Sequence, residues 1–121
     1  MNKVLVVDDN LVNVKLVQVT LTALGYEVVC AYNGVEGVEK TREERPDLIF
    51  MDIQMPEMDG MDAMKKIRED SDLNKIPIIA YTAYAMKGDR SRLISMGFDD
   101  YLSKPVTASN LISLIKKYLT S

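Results

Sequence analysis

The chain has 121 residues, 47% apolar and 27% charged, an ordinary globular mix with enough material for one core. A net charge of −3 argues against general affinity for nucleic acid or anionic membrane, and no apolar run approaches the length of a membrane span. A single cysteine rules out an internal disulfide, and the lack of histidine removes the usual general base and the usual zinc ligand.

Met1-Asn2-Lys3 leads straight into Val4–Val7, without the apolar core and cleavage site of a signal peptide, so a cytoplasmic location is expected. Val4–Val7 reads as a buried strand ending in Asp8-Asp9-Asn10. Leu11, Val14, Leu21 and Leu24 then recur at near-helical spacing, and Gly25 fits a helix C-cap. Val28–Tyr32 is rich in β-formers, with Cys30 expected as a buried, inert thiol; Asn33-Gly34 reads as a turn. Val35–Glu44 reads as a helix ended by Pro46. Leu48–Met51 is the third strand, with Asp52 directly at its end and turn chemistry following in Pro56 and Asp59-Gly60.

Met61–Asp70 reads as a helix with Ala63, Met64 and Ile67 inward and Lys65, Lys66 and Arg68 outward. Met51, Met55, Met58, Met61 and Met64 read mostly as core filling. Pro77 introduces the fourth strand, Ile78–Tyr81, which ends at Thr82. Ala85–Met96 is a helix weakened by Gly88 and capped by Gly97. Asp99–Leu102 is a short fifth strand, its acidic pair read as loop solvation. Thr107 is an N-cap, and Leu111, Leu114, Ile115, Tyr118 and Leu119 form a helical stripe.

Strands alternating with helices imply βαβ units, hence an α/β fold with a parallel sheet and helices on both faces. No linker or internal repeat is visible, so residues 1–121 are expected to form one domain with no output domain.

The strand ends carry the chemistry. In a parallel sheet they share one edge, where open α/β sheets place their ligands. If the first and third strands are neighbours, Asp8, Asp9 and Asp52 converge there. Three crowded carboxylates need a positive partner, and a hard divalent cation such as Mg²⁺ suits oxygen donors. Lys104 brings a second positive charge from the opposite flank. A carboxylate is also a nucleophile able to form an aspartyl phosphate, with metal and lysine neutralising the phosphoryl oxygens. Asp52 as nucleophile, Asp8 and Asp9 as metal holders, Lys104 as clamp and Thr82 as hydroxyl donor make a set that needs no histidine. Taken singly, each has a duller reading: an N-cap pair at Asp8-Asp9, a surface lysine, a strand-end threonine, a half-buried aromatic at Tyr101.

Asp8-Asp9, the strand-end Asp52 with Met55-Pro56 and Asp59-Gly60 after it, Thr82-Ala83 and Lys104-Pro105 together resemble the receiver domain of bacterial response regulators, in order and over essentially the whole chain. The resemblance implies a flavodoxin-like, doubly wound (βα)5 fold with strand order 2-1-3-4-5. It implies a stand-alone receiver that takes a phosphoryl group on Asp52 from a histidine kinase or histidine phosphotransfer protein, and that does not turn over an external substrate. It implies that Asp9, Asp52 and the backbone carbonyl of Gln54 ligate Mg²⁺, for which Mn²⁺ could substitute, with Asp8 acting largely through water. Lys104 would meet the phosphoryl group through a cis Lys104-Pro105 peptide, Ala83 would contact the phosphate, and Thr82 and Tyr101 would be the switch pair. Gln54 and Tyr84 would tune hydrolysis.

The same resemblance implies a downstream protein bound on the face of helix Ala85–Met96, strand Asp99–Leu102 and helix Thr107–Leu119. It implies neither nucleic acid nor membrane as partner, and a monomer or a weak phosphorylation-dependent dimer. A phosphorelay or kinase-regulating role is preferred to flagellar motor binding. Three rivals stand beside it. A Mg²⁺-dependent aspartyl phosphatase or mutase would need a second acid where this chain has Gln54, and a cap domain. A flavodoxin-like ligand binder would need a Gly-rich loop after the first strand, which residues 8–13 lack. The third is a receiver cut from a longer chain.

Overall fold

The computed structural model describes residues 2–53, 58–82, 89–104 and 106–119. Strands β1 (Lys3–Val7), β2 (Glu27–Ala31), β3 (Leu48–Asp52), β4 (Ile78–Thr82) and β5 (Asp100–Ser103) alternate with helices α1 (Leu11–Ala23), α2 (Gly34–Glu44), α3 (Gly60–Glu69), α4 (Asp89–Met96) and α5 (Ala108–Tyr118). Every strand pairing is parallel and the order is β2-β1-β3-β4-β5. All residues of β3 and β4 are buried, as the central strands of a sheet covered on both faces must be. The chain reverses its direction of travel across the sheet between β1 and β3, so the crevice for a ligand lies at their carboxyl ends.

Strand alternation divides the core into two layers. Val4, Val6, Leu48, Phe50, Ile79, Tyr81 and Leu102 pack with α1 and α5. Leu5, Val7, Ile49, Met51, Ile78 and Ala80 pack with α2, α3 and α4. Helix starts are fixed by side-chain caps: Asn10 accepts from the amides of Val12 and Asn13, Asn33 from Glu36, Asp59 from Asp62 and Thr107 from Asn110.

Several expectations change in detail. Asn33-Gly34 is no separate turn: Asn33 caps α2 and Gly34 is its first residue. Tyr32 lies beyond β2 and is exposed, because Ala31 is the last residue to pair with β1. Helix α2 ends at Glu44 as expected, and Arg45, in the left-handed region at φ 46°, separates it from Pro46. Helix α1 buries Val14, Val17 and Leu21, whereas Leu11 and Leu24 are exposed along with Val12, Leu16 and Val19. That helix is apolar nearly all round, so its spacing alone did not single out the buried face.

Arg68 does not point out into solvent. Its guanidinium donates to the carbonyls of Asn74, Ile76 and Gly97 and pairs with Asp99. The acidic pair Asp99-Asp100 is likewise tied into the structure, Asp99 exposed and Asp100 buried. Asp99 accepts from the Ile78 amide at 2.8 Å, while the buried Asp100 carboxylate accepts from Lys117 Nζ and the Tyr118 hydroxyl, each at 2.9 Å. Cys30 is half-buried against the α1/α5 layer, and burial pushes its thiol up. Met51 and Met64 fill the other layer, with Met58 and Met61 partly buried against it. Met55 and the expected first turn of α4, residues 85–88, lie outside the described residues.

Candidate functional site: an acidic rim with a captive lysine

Two strand ends and one loop build the site. Asp8 directly follows β1, and its amide donates to the Ala31 carbonyl at 3.1 Å, a ladder-like bond one residue beyond the strand. Its side chain turns back to accept from the Asn10 amide at 2.9 Å, which shapes the entry to α1. Asp52 is the last residue of β3 and is buried. By alternation both acids belong to the face that carries Val6 and Phe50, the α1/α5 layer. Asp9, next in the chain, is exposed.

One carboxylate oxygen from each of Asp8, Asp9 and Asp52 lies within 4.8 Å of the others. Such a set of hard oxygen donors, two buried and one open to water, fits a divalent cation of the Mg²⁺ type. Lys104 shares this ground with them, rather than standing across from it as the sequence suggested. Its Nζ is 2.9 Å from Asp8 Oδ2 and 3.3 Å from Asp52 Oδ2. The first contact is an ion pair by distance and not a hydrogen bond by geometry, since Asp8 Oδ2 has no hydrogen-bond partner among the described residues. The lysine is placed by its backbone, whose amide donates to the Thr82 carbonyl at 2.8 Å.

The loop after β3 must return very close to the site. Gly60 donates its amide to the Ile53 carbonyl at 2.9 Å, and a Cβ on Gly60 would stand 2.1 Å from the Asp52 carbonyl oxygen. Only glycine allows that approach.

Thr82 ends β4 and is buried. It alternates with Tyr81 and so belongs to the α2/α3/α4 layer, where the half-buried Tyr101 ring also packs. The Tyr101 hydroxyl is buried and has no hydrogen-bond partner among the described residues. The expected switch pair therefore shares one face of the sheet, and the acids with Lys104 share the other. Gln54, Ala83, Tyr84 and Pro105, expected to ligate metal, contact phosphate, tune hydrolysis and form the cis peptide, lie outside the described residues.

One neighbour was missed in the sequence. Tyr81 pairs in register with Asp52, and its ring lies under Lys104, with Nζ 4.7 Å from the centroid. Burial, together with the Asp8 and Asp52 carboxylates, pushes its hydroxyl up to about 12. The signal was present in principle: a tyrosine in an otherwise aliphatic strand, one residue before the rim. In the sequence it reads only as the last residue of an apolar run.

Known proteins share this architecture. The family described as the response regulator receiver domain matches residues 4–116. The polar-differentiation response regulator DivK of Brucella anthropi is 46% identical over 116 residues, covering 96% of this chain and 94% of the relative. DivK of Brucella ovis is 44% identical over the same span. Among solved structures, the receiver domain of a Pseudomonas aeruginosa sensor histidine kinase, with a magnesium ion coordinated in its active site cleft, superposes with a TM-score of 0.89 at 35% identity, covering 99% of this chain and 98% of that one. The Vibrio cholerae chemotaxis protein CheY4 superposes with a TM-score of 0.91 at 32% identity, covering 98% and 99%.

Proposed function

The chain belongs to the response regulator receiver domain family, and on that premise we propose that it accepts a phosphoryl group on Asp52 from a phosphohistidine and uses the resulting charge to switch protein–protein contacts. The observation that supports this most is the convergence of Asp8, Asp9 and Asp52 within 4.8 Å, with Lys104 against two of them.

An Asp52 carboxylate oxygen attacks phosphorus, the bond from phosphorus to the imidazole nitrogen breaks, and the imidazole leaves with the electron pair. The product is an acyl phosphate on Asp52. A carboxylate is already ionised, so no base is needed and the lack of histidine is no obstacle. Lys104 offsets the negative charge gathering on the phosphoryl oxygens from a mostly buried position. Asp8, Asp9, Asp52 and the Gln54 carbonyl would hold Mg²⁺, or Mn²⁺ in its place, and the bound ion would neutralise phosphoryl charge.

The transfer adds roughly −1.5 to −2 charge at the rim. Thr82 and Tyr101 stand on the α4 side of the sheet, so they carry the response to the face of α4, β5 and α5, where a downstream protein binds. The phosphohistidine partner is a histidine kinase or phosphotransfer protein in the cytoplasm. The exposed Leu11 and Val12, in the first turn of α1 just after the acids, give it an apolar landing. Identity is higher to a polar-differentiation regulator, at 46%, than to a chemotaxis protein, at 32%, which supports a role other than motor binding, and a phosphorelay or kinase-regulating role is the one proposed. Among the described residues no helix is long and apolar enough to cross a membrane.

Incubation with Mg²⁺ and acetyl phosphate, followed by intact-mass measurement, tests the proposal. One labile phosphoryl adduct is expected, lost in Asp52→Ala and suppressed by chelator. An adduct that persists in Asp52→Ala would place the acceptor elsewhere.

A further inference from the structure

Tyr81 stands beside Asp52 in the sheet register, on the face that carries Asp8 and Lys104. It is 1% exposed, one of the largest fully buried side chains of the protein. The Lys104 ammonium touches three groups at once: Asp8 Oδ2 at 2.9 Å, Asp52 Oδ2 at 3.3 Å and the Tyr81 ring at 4.7 Å from its centroid. An ammonium over an aromatic face is attracted by the ring quadrupole, and more strongly where water is excluded. The Tyr81 hydroxyl contributes no such contact. It is buried and has no hydrogen-bond partner among the described residues. An aliphatic side chain would fill the same core position without offering a π face. The ring therefore accounts for an aromatic here, and the hydroxyl does not.

Lysine is a flexible point charge that loses rotamer freedom whenever it is held in one place. Preorganised charge is worth most when it is in position before the reacting group arrives. Resting on the reading of Asp52 as phosphoryl acceptor, we infer that Tyr81 is a positioning residue for Lys104, its ring holding the ammonium at the acid rim so that the charge is in place for transfer. Asp8 and Asp52 pull the ammonium toward the rim, and the ring supports it from the core side.

Two measurements test this, one independent of phosphorylation. In the wild-type protein under chelator, the Lys104 ε-methylene protons should show the ring-current displacement of a group lying over an aromatic face, assigned by comparison with Lys104→Ala. Tyr81→Phe should keep that displacement and Tyr81→Leu should lose it. With Mg²⁺ and acetyl phosphate, Tyr81→Phe should form the adduct at the wild-type rate. Tyr81→Leu should be slower by roughly 2- to 30-fold, the factor such a contact is worth, and the slowing should vanish in a Lys104→Ala background. A wild-type Lys104 signal without displacement overturns the inference, whether or not any variant folds. So does Tyr81→Phe as slow as Tyr81→Leu, or a Tyr81→Leu effect that persists without Lys104. Adduct formation in Asp52→Asn would overturn the acceptor reading instead, and would leave the Lys104 displacement as it was found.

Discussion

Gly60 and Asp52 meet backbone to backbone: a Cβ placed on Gly60 would stand 2.1 Å from the Asp52 carbonyl oxygen and 2.8 Å from the Ile53 Cα. Neither atom is the end of a flexible side chain, so the strand end itself would have to move. Gly60→Ala should therefore cost about 2 kcal/mol or more of stability and also displace the proposed acceptor. The checks are a urea unfolding midpoint and the acetyl phosphate adduct rate. A variant that kept both would show that the loop after β3 adjusts without disturbing Asp52.

Removing Lys104 strips the buried Asp8 and Asp52 of their counter-charge. Fully buried pairs broken this way lose about 3–5 kcal/mol; Asp9 keeps this rim open to water, so about 1–3 kcal/mol is expected for Lys104→Ala in chelator. Added Mg²⁺ should restore part of the loss, because a cation bound to the native rim stabilises the folded state by mass action. Thermal melts with chelator and with Mg²⁺ measure both effects. Equal melting temperatures for wild type and variant in chelator would contradict the ion-pair argument.

Arg68 ties the end of α3 to the loops that lead into β4 and β5, through the carbonyls of Asn74, Ile76 and Gly97 and the Asp99 carboxylate. Charged hydrogen bonds of this kind are worth about 1.5–3 kcal/mol each at best, and Arg68 is partly exposed, so Arg68→Ala should cost about 2–3 kcal/mol in all. Arg68→Lys should recover less than half, since a point charge cannot serve several carbonyls in one plane. Denaturant unfolding of the two variants decides it, and full recovery by lysine would reduce the clasp to simple charge pairing.

Asp100 carries a pH dependence of its own. Burial by itself would raise its carboxyl, but hydrogen bonds from Lys117, the Tyr101 amide and Tyr118 overcome this and hold it below its usual value. A depressed folded value means that the unfolded chain takes up the proton first as pH falls. The stability that Asp100 contributes is thus fully present above the ordinary carboxylate range and is lost as pH drops through the folded value. Asp100→Asn should be less stable than wild type at pH 7, and the gap should close below about pH 4. Unfolding midpoints across that range test the sign, and a gap that widened on acidification would reverse it.

The fold was legible because its signals were strong: apolar runs of strand length, each closed by a turn or cap, alternating with helical stretches. The acid rim was legible for a different reason. A parallel sheet gathers every carboxyl end at one edge, so Asp8, Asp9 and Asp52 could be brought together once β1 and β3 were taken as neighbours, with Lys104 at the same edge but on its opposite flank. What escaped was whatever depends on side-chain direction across long separations. Arg68 looks like any lysine-flanked surface residue until the loop near Gly97 folds beneath it. Asp99-Asp100 looks solvated until α5 brings Lys117 and Tyr118 alongside. The buried stripe of α1 was ambiguous because too many of its residues are apolar, and burial there is settled by the sheet, not by the helix.

Tyr81 and Thr82 are joined by one peptide bond, yet the pleat sends them into different layers. The sheet acts as a bulkhead: Tyr81, the acids and Lys104 lie on one side, Thr82 and Tyr101 on the other. With Tyr81 positioning the lysine and Thr82 switching, as proposed, two adjacent codons would govern separate properties, and selection could retune the speed of loading without redrafting the surface a partner reads. Drift in the second is equally free of the first. A scaffold with that separation lends itself to reuse in circuits of very different tempo.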